Sequence, residues 1–307
     1  MPPERALENR VALITGAGRG IGAALAEGFA AEGACVVVND LGVAQDGSSP
    51  DASPAQQVAE AIVKDGGTAI HDNTDITDFD AVEAMIQRAV AEFGRLDVVC
   101  NVAGIVRDGM IFKMTEEQWD SVIQVHLKGT FNTTRHASVH WRENRGGAFR
   151  LINFISGSGL FGAPSQPNYA AAKMGMVGLT FSCANALSGY GVTANCVAPV
   201  AVTRMTESLG DRGTFNYSHD NPQLAAANVV PAVVYLASER SGWINRRIIA
   251  SGNGKISLHS NFDLQADLTA EGDPAVWTNE AAAEAIEREF KGLPDQMNPF
   301  GRPPSGS

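Results

Sequence analysis

The sequence predicts an α/β fold: a single doubly wound parallel sheet with helices on both faces, followed by a C-terminal extension. Three observations carry that prediction. Short apolar runs rich in Val and Ile alternate with helical patterns through residues 7–254, as repeated strand and helix units do. The first run, Val11–Thr15, stops at Gly16-Ala-Gly-Arg-Gly-Ile-Gly22, a turn that opens a helix. Residues 255–307 then depart in composition, with Pro274, Pro294, Pro299, Pro303 and Pro304 around one helical stretch over 279–291. Two regions follow: a domain over 7–254, and an extension over 255–307 that packs through the stripe Ala282, Ile286 and Phe290 and frays at its end.

In chain order, the turn after the first strand reads Thr15-Gly16-x-x-x-Gly20-x-Gly22, and 23–32 continue as helix. Glycines there let the backbone approach a pyrophosphate, while the helix N-terminus offers amide donors and a favourable dipole. The second strand, 34–40, ends in Asp40, 40 − 22 = 18 residues beyond Gly22. A carboxylate at that distance meets the adenine-ribose hydroxyls of NAD and repels a 2′-phosphate. Arg19 pulls the other way: its guanidinium could meet such a phosphate, or it could simply face solvent.

Residues 41–54 form a loop longer than the ordinary connection of about 2–6 residues, either a surface insertion or a rim over the adenosine side. Helix 56–64 and strand 68–75 follow, placing Asp75 at a strand end as a candidate adenine contact. Helix 79–93 leads to strand 96–104, which ends in Asn101-Val-Ala-Gly104. A long helix over 116–141 carries His126, a lone histidine of the kind more often structural than catalytic. Strand 147–155, a helix from Tyr169 to about residue 187 and strand 192–199 come next. Residues 200–222, polar and poor in helical pattern, suit a lid. A short helix over 231–238 and a last strand over 247–251 close the domain.

A net charge of −11 excludes a general nucleic-acid or anionic-membrane binder, which needs clustered Lys and Arg. No run approaches the ~18 apolar residues that span a bilayer, and no apolar leader is read at the start, so a cytoplasmic enzyme acting on a small molecule is expected. The four cysteines lack metal-ligand spacing, which points to buried thiols and no metal site.

The chemistry concentrates in Ser156, Tyr169 and Lys173. Tyr169 and Lys173 are four apart, on one face of a helix. A phenol ordinarily titrates near ~10, and a neighbouring ammonium favours its ionised form, so Tyr169 becomes a tuned acid and base for an alcohol or carbonyl. Ser156, 13 residues upstream at a strand end, can hydrogen-bond the same substrate oxygen.

With these motifs in this order, the chain resembles the short-chain dehydrogenase/reductase family over residues 7–254. The resemblance implies a Rossmann-type sheet and an NAD cofactor. It also implies catalytic roles for Ser156, Tyr169 and Lys173, with His126 at the position where most of the family has an Asn of the proton relay. Cofactor contacts are implied for Gly16, Arg19, Gly20, Ile21, Gly22, Asp40, Asp75, Asn101, Ala103, Gly104, Pro199 and Thr203, besides Tyr169 and Lys173. Val102 and Val200 replace the family's usual Asn and Gly. Within the family, residues 36–42, 103–108, 125–131, 168–173 and 198–206 are similar to the (3R)-hydroxyacyl-CoA dehydrogenase units of type 2 multifunctional enzymes and their actinobacterial relatives. That implies NAD-dependent interconversion of a secondary alcohol and a ketone, on an acyl-CoA with a bulky lipid- or steroid-derived group, by a homodimer or homotetramer. A dehydrogenase of free hydroxysteroids, a 3-oxoacyl carrier-protein reductase and a non-enzymatic NAD sensor are the alternatives.

Overall fold

In the first strand, β1 (Val11–Thr15), Ala12 and Ile14 enter one apolar core while Val11 and Leu13 enter another. A strand buried on both faces needs helices on both sides, and the chain supplies them. The computed structural model describes residues 5–43, 53–201, 221–262, 266–270 and 276–290.

The remaining strands are β2 (Cys35–Asn39), β3 (Thr68–Asp72), β4 (Val98–Asn101), β5 (Phe149–Phe154), β6 (Val192–Val200), β7 (Ile248–Gly252) and β8 (Lys255–His259). They form one 8-stranded sheet in the order β3-β2-β1-β4-β5-β6-β7-β8. Every pairing is parallel except β7 with β8. The order turns back between β1 and β4, so the crevice at the C-terminal ends of those strands is where a doubly wound sheet binds its ligand.

One face carries α1 (Gly20–Ala31), α2 (Ser53–Lys64) and α8 (Val230–Ala237), packing Leu25, Phe29, Ile62, Val233 and Leu236 on the sheet. The other carries α3 (Phe79–Phe93), α4 (Glu116–Ile123), α5 (Gly129–Glu143) and α7 (Pro167–Leu187), with Val82, Met85, Trp141 and Ala184 in its core. The short α6 (Gly157–Phe161) packs against α7. No helix among the described residues is long and apolar enough to cross a membrane. The four cysteines are free, Cys100 and Cys196 buried and Cys35 and Cys183 half-buried.

Several expectations are corrected. The third strand stops at Asp72 rather than 75, because the Asp72 carboxylate accepts the Thr74 N–H at 2.8 Å and turns the chain out of the ladder. Asp75 therefore lies in the following loop, its carboxylate accepting the Thr77 N–H at 2.8 Å. The long helix is not uniform: a π-turn, Gln124–Lys128, joins α4 to α5, with the Gly129 N–H bonded to the Gln124 carbonyl. The boundary expected at 254/255 falls inside a hairpin, since β8 pairs with β7, and the compact units divide between His259 and Ser260. In the second unit, α9 (Asn279–Phe290) buries Ala285 and leaves Ile286 and Phe290 exposed. Its buried side is thus not the expected stripe.

Candidate active site

The site is assembled where β1, β4 and β5 end. At the end of β1, Thr15 Oγ1 accepts the N–H groups of Val102 (3.1 Å) and Ala103 (3.3 Å), tying the first strand to the exit of the fourth. Gly16 follows with φ +66°, and a Cβ on it would lie 2.6 Å from Ala103 Cα. Both its handedness and its clearance demand glycine.

The end of β2 closes on the same turn. Asp40 accepts the Gly18 N–H through Oδ2 (2.8 Å) and the Gly42 N–H through Oδ1 (2.7 Å), which fixes a carboxylate beside the glycine loop. Arg19, at the N-cap of α1, makes no side-chain cap, and its guanidinium donates to the Val43 carbonyl at 3.4 Å. Gly20, Ile21 and Gly22 open α1 behind it. An uncapped helix start behind a glycine turn, with a fixed carboxylate alongside, suits the pyrophosphate and ribose of a dinucleotide. Pro199 is half-buried on β6 opposite Ser251. Thr203, and residues 202–220 of the expected lid, lie outside the described residues.

β5 delivers the reacting groups. Its last carbonyl, Phe154 O, accepts a 2.6 Å hydrogen bond from Lys173 Nζ, and two residues later Ser156 caps α6, its Oγ accepting the Ser158 N–H at 3.1 Å. That bond uses a lone pair of the hydroxyl and leaves its proton free to donate. Lys173 Nζ lies 5.5 Å from the centre of the Tyr169 ring, and the Ser156 side chain is near enough to the phenol to favour its ionised form. The three side chains lie together at the end of β5 and the start of α7. The electrostatics differ from the simple expectation of a lowered phenol. Burial pushes Tyr169 up to about 12 against the pull of Ser156, and Asp108 adds to the rise. Burial also brings Lys173 down to about 7.

His126 sits in the π-turn, buried, its ring edge-on to Tyr169 with centroids 5.0 Å apart at 89°. Its Nε2 lies 2.7 Å from the Ile105 carbonyl and 3.1 Å from the Ile105 N–H. The shorter contact requires a proton on Nε2, so Nε2 donates to the carbonyl and Nδ1 is a bare acceptor. Burial, with Lys173 nearby, holds the imidazole well below its usual range and therefore neutral. Gly104 makes this possible, because a Cβ there would fall 2.1 Å from His126 Cε1.

Two features were not read from the sequence. Asn168 is fully buried and bonds the carbonyls of Arg107 (3.0 Å) and Gln118 (2.8 Å) through Nδ2, while its Oδ1 accepts the N–H of Tyr169 itself (2.8 Å). It locks the start of α7 to the loop after β4 and to α4; only its place before Tyr169 could have marked it. Asn101, expected at the cofactor, has its side chain committed inward: it donates to Asn153 Oδ1 (2.9 Å) and accepts from Thr133 Oγ1 (2.6 Å). Any cofactor contact from Asn101 runs through its backbone.

The sequence profile described as short chain dehydrogenase matches residues 10–213. The chain belongs to the short-chain dehydrogenase family. It is thus an oxidoreductase acting on CH–OH groups with a nicotinamide nucleotide. It is 41% identical over 309 aligned positions to a peroxisomal hydratase-dehydrogenase-epimerase of Saccharomyces cerevisiae, covering 98% of this chain and 32% of that longer protein. The hydroxyacyl-CoA dehydrogenase ChsB1 of Mycobacterium tuberculosis is 38% identical, covering 87% of this chain and 84% of its own length. A crystal structure of a short chain dehydrogenase from Mycobacterium avium superposes with a TM-score of 0.85 at 39% identity, covering 97% of this chain and 100% of that one.

Proposed function

We propose that this enzyme interconverts (3R)-3-hydroxyacyl-CoA thioesters, with a bulky lipid- or steroid-derived acyl group, and their 3-oxo forms, using NAD in preference to NADP. The observation that carries the reaction is the meeting of Ser156, Tyr169 and Lys173 at the end of β5. The hydroxyacyl-CoA and multifunctional relatives support the substrate, and the fixed Asp40 carboxylate supports NAD, because it would repel a 2′-phosphate.

The glycine turn, Asp40 and Lys173 would hold the cofactor, which when bound supplies the hydride acceptor or donor. The protein's own groups place the carbinol and move its proton. Ser156 donates its free hydroxyl proton to the substrate oxygen. Tyr169 takes the proton in oxidation and returns it in reduction. Lys173, anchored on Phe154 O, stands beside the phenol, and when protonated its ammonium would favour the phenolate against the burial that raises Tyr169. His126, committed to Ile105 through Nε2, holds the Tyr169 ring.

The test is a turnover screen over a matched hydroxyacyl-CoA thioester, its free hydroxy acid and a free hydroxysteroid, each with NAD and NADP. The thioester with NAD should give the highest kcat/KM, and Tyr169→Phe should lose about 10²–10⁴-fold of it while still binding the nucleotide. Equal efficiency on the free acid, or greater efficiency on the unesterified steroid, would remove the acyl-CoA assignment. Tighter binding of NADPH than NADH would overturn the role of Asp40.

The enzyme works, in this reading, as a homodimer or homotetramer that covers the α4–α5 stretch and the Tyr169 helix α7. Trp119, Phe131 and Val139 on those helices are partly exposed, with Lys128 Nζ 4.7 Å from the centre of the Phe131 ring. Light scattering at micromolar concentration should give a multiple of the chain mass; a monomer would count against it.

A further inference from the structure

The loop after β4 is fastened to the start of the Tyr169 helix by bonds from three consecutive residues. Asn168 Nδ2 donates to the Arg107 carbonyl (3.0 Å), Gln166 Nε2 donates to both oxygens of Asp108 (3.0 and 3.2 Å), and the Gly109 N–H donates to the Ser165 carbonyl (2.8 Å). Asp108 is thereby tied to Gln166, three residues before the catalytic Tyr169. It is exposed and makes no ion pair among the described residues. Its charge reaches Tyr169, which it pushes up. Beyond it the same loop turns apolar and open: Met110 is partly exposed, Ile111 is 64% exposed and Phe112 73% exposed.

A rim of this composition has a chemical consequence. A substrate whose carbinol lies at Tyr169 presents the groups on neighbouring carbons to the Asp108 side of the mouth or away from it. A carboxylate there meets a fixed negative charge; an ester or thioester carbonyl meets only a dipole and has the amide of Gln166 and an apolar surface nearby. We propose that Asp108, held by Gln166, is a specificity determinant: a negative rim that turns away acids carrying a free carboxylate next to the reacting carbinol and admits the same acyl group once its carboxyl is masked as an uncharged ester or thioester. The proposal deepens the acyl-thioester reading above and rests on it for the physiological substrate. The phosphates of coenzyme A do not conflict with it, because a long uncharged arm separates them from the acyl carbons.

The experiment compares 3-hydroxybutyrate with its methyl ester as inhibitors of whichever alcohol the enzyme oxidises, in the wild type, Asp108→Asn and Asp108→Glu. The wild type should bind the ester more tightly than the anion. Asp108→Asn should narrow that gap about five- to tenfold, through the anion alone, as expected for a repulsion of two charges across a wet rim. Asp108→Glu should keep the gap, and raising the ionic strength should narrow it in the wild type. A second readout is the pH dependence of alcohol oxidation. The groups facing Tyr169 are Lys173 on its own helix, His126 from the π-turn, Ser156 from the end of β5 and Asp108 from the rim; removing the last should move the acid limb to lower pH. An unchanged gap, or equal shifts for both compounds with an unmoved pH limb, would make Asp108 a helix-start anchor and overturn the proposal. Because inhibition is read on any alcohol the enzyme accepts, failure of the thioester assignment shows separately, in the turnover screen.

Discussion

Gly104 and His126 are a matched pair, and neither identity is explained alone. The imidazole fills the space a Cβ on Gly104 would occupy, lies edge-on to Tyr169 and hangs from the Ile105 carbonyl. Gly104→Ala should therefore overpack the site, costing about 1–3 kcal/mol in urea unfolding and lowering kcat as the imidazole is driven off the phenol. In a background of His126→Ala the same change should cost only a few tenths of a kcal/mol, since the new methyl enters the vacated space. Additive costs would mean that the strain is borne by the 103–105 backbone and not by the histidine.

At the scale of elements, the sequence marks those parts whose chemistry coincides with the end of an apolar run. Thr15, Asp40 and Ser156 sit where an apolar run stops, and the four-residue spacing of Tyr169 and Lys173 puts both on one helix face, so these positions stand out as candidates once the family resemblance orders them. Other elements lack such a mark. In β8, Ile256 and Leu258 face outward, so the strand shows no burial signal and reads as tail. The π-turn is a choice of the Gly129 N–H between carbonyls, which no residue type announces. The end of β3 is set by the Asp72 side chain, whose bond to the Thr74 N–H turns the chain before Asp75, and residue type alone does not announce such a bond. The polar chain from Thr133 through Asn101 and Asn153 to Thr180, crossing from α5 through β4 and β5 to α7, was likewise invisible as a unit. Its members are far apart in sequence and polar in a core, and only the fold shows that each satisfies the next.

For the whole molecule, the groups that make the site also shape how stability depends on pH. Lys173 titrates near 7 in the folded protein and near ~10.4 when unfolded, so between those values the unfolded chain carries a proton that the folded chain does not. Raising the pH through that window favours the folded state. His126, held well below its unfolded value of ~6.5, acts in the same sense further down, so stability drops as pH falls beneath that value. The buried thiols act oppositely. Burial raises Cys100 and moves Cys196 up to about 12, so above an unfolded thiol value of ~8.5 it is the folded state that retains protons, and stability falls as pH rises. Tyr169, up to about 12 against ~10 unfolded, steepens that fall. The cofactor-free enzyme should consequently be most stable between about pH 7 and 9, with Lys173 setting the neutral flank. Urea unfolding from pH 6 to 10 should show stability rising by about 1–2 kcal/mol between pH 7 and 8.5 in the wild type and staying nearly level over that interval in Lys173→Met. An equal rise in the variant would assign the neutral flank to other groups and would mean that the Phe154 carbonyl keeps Lys173 charged in the folded protein.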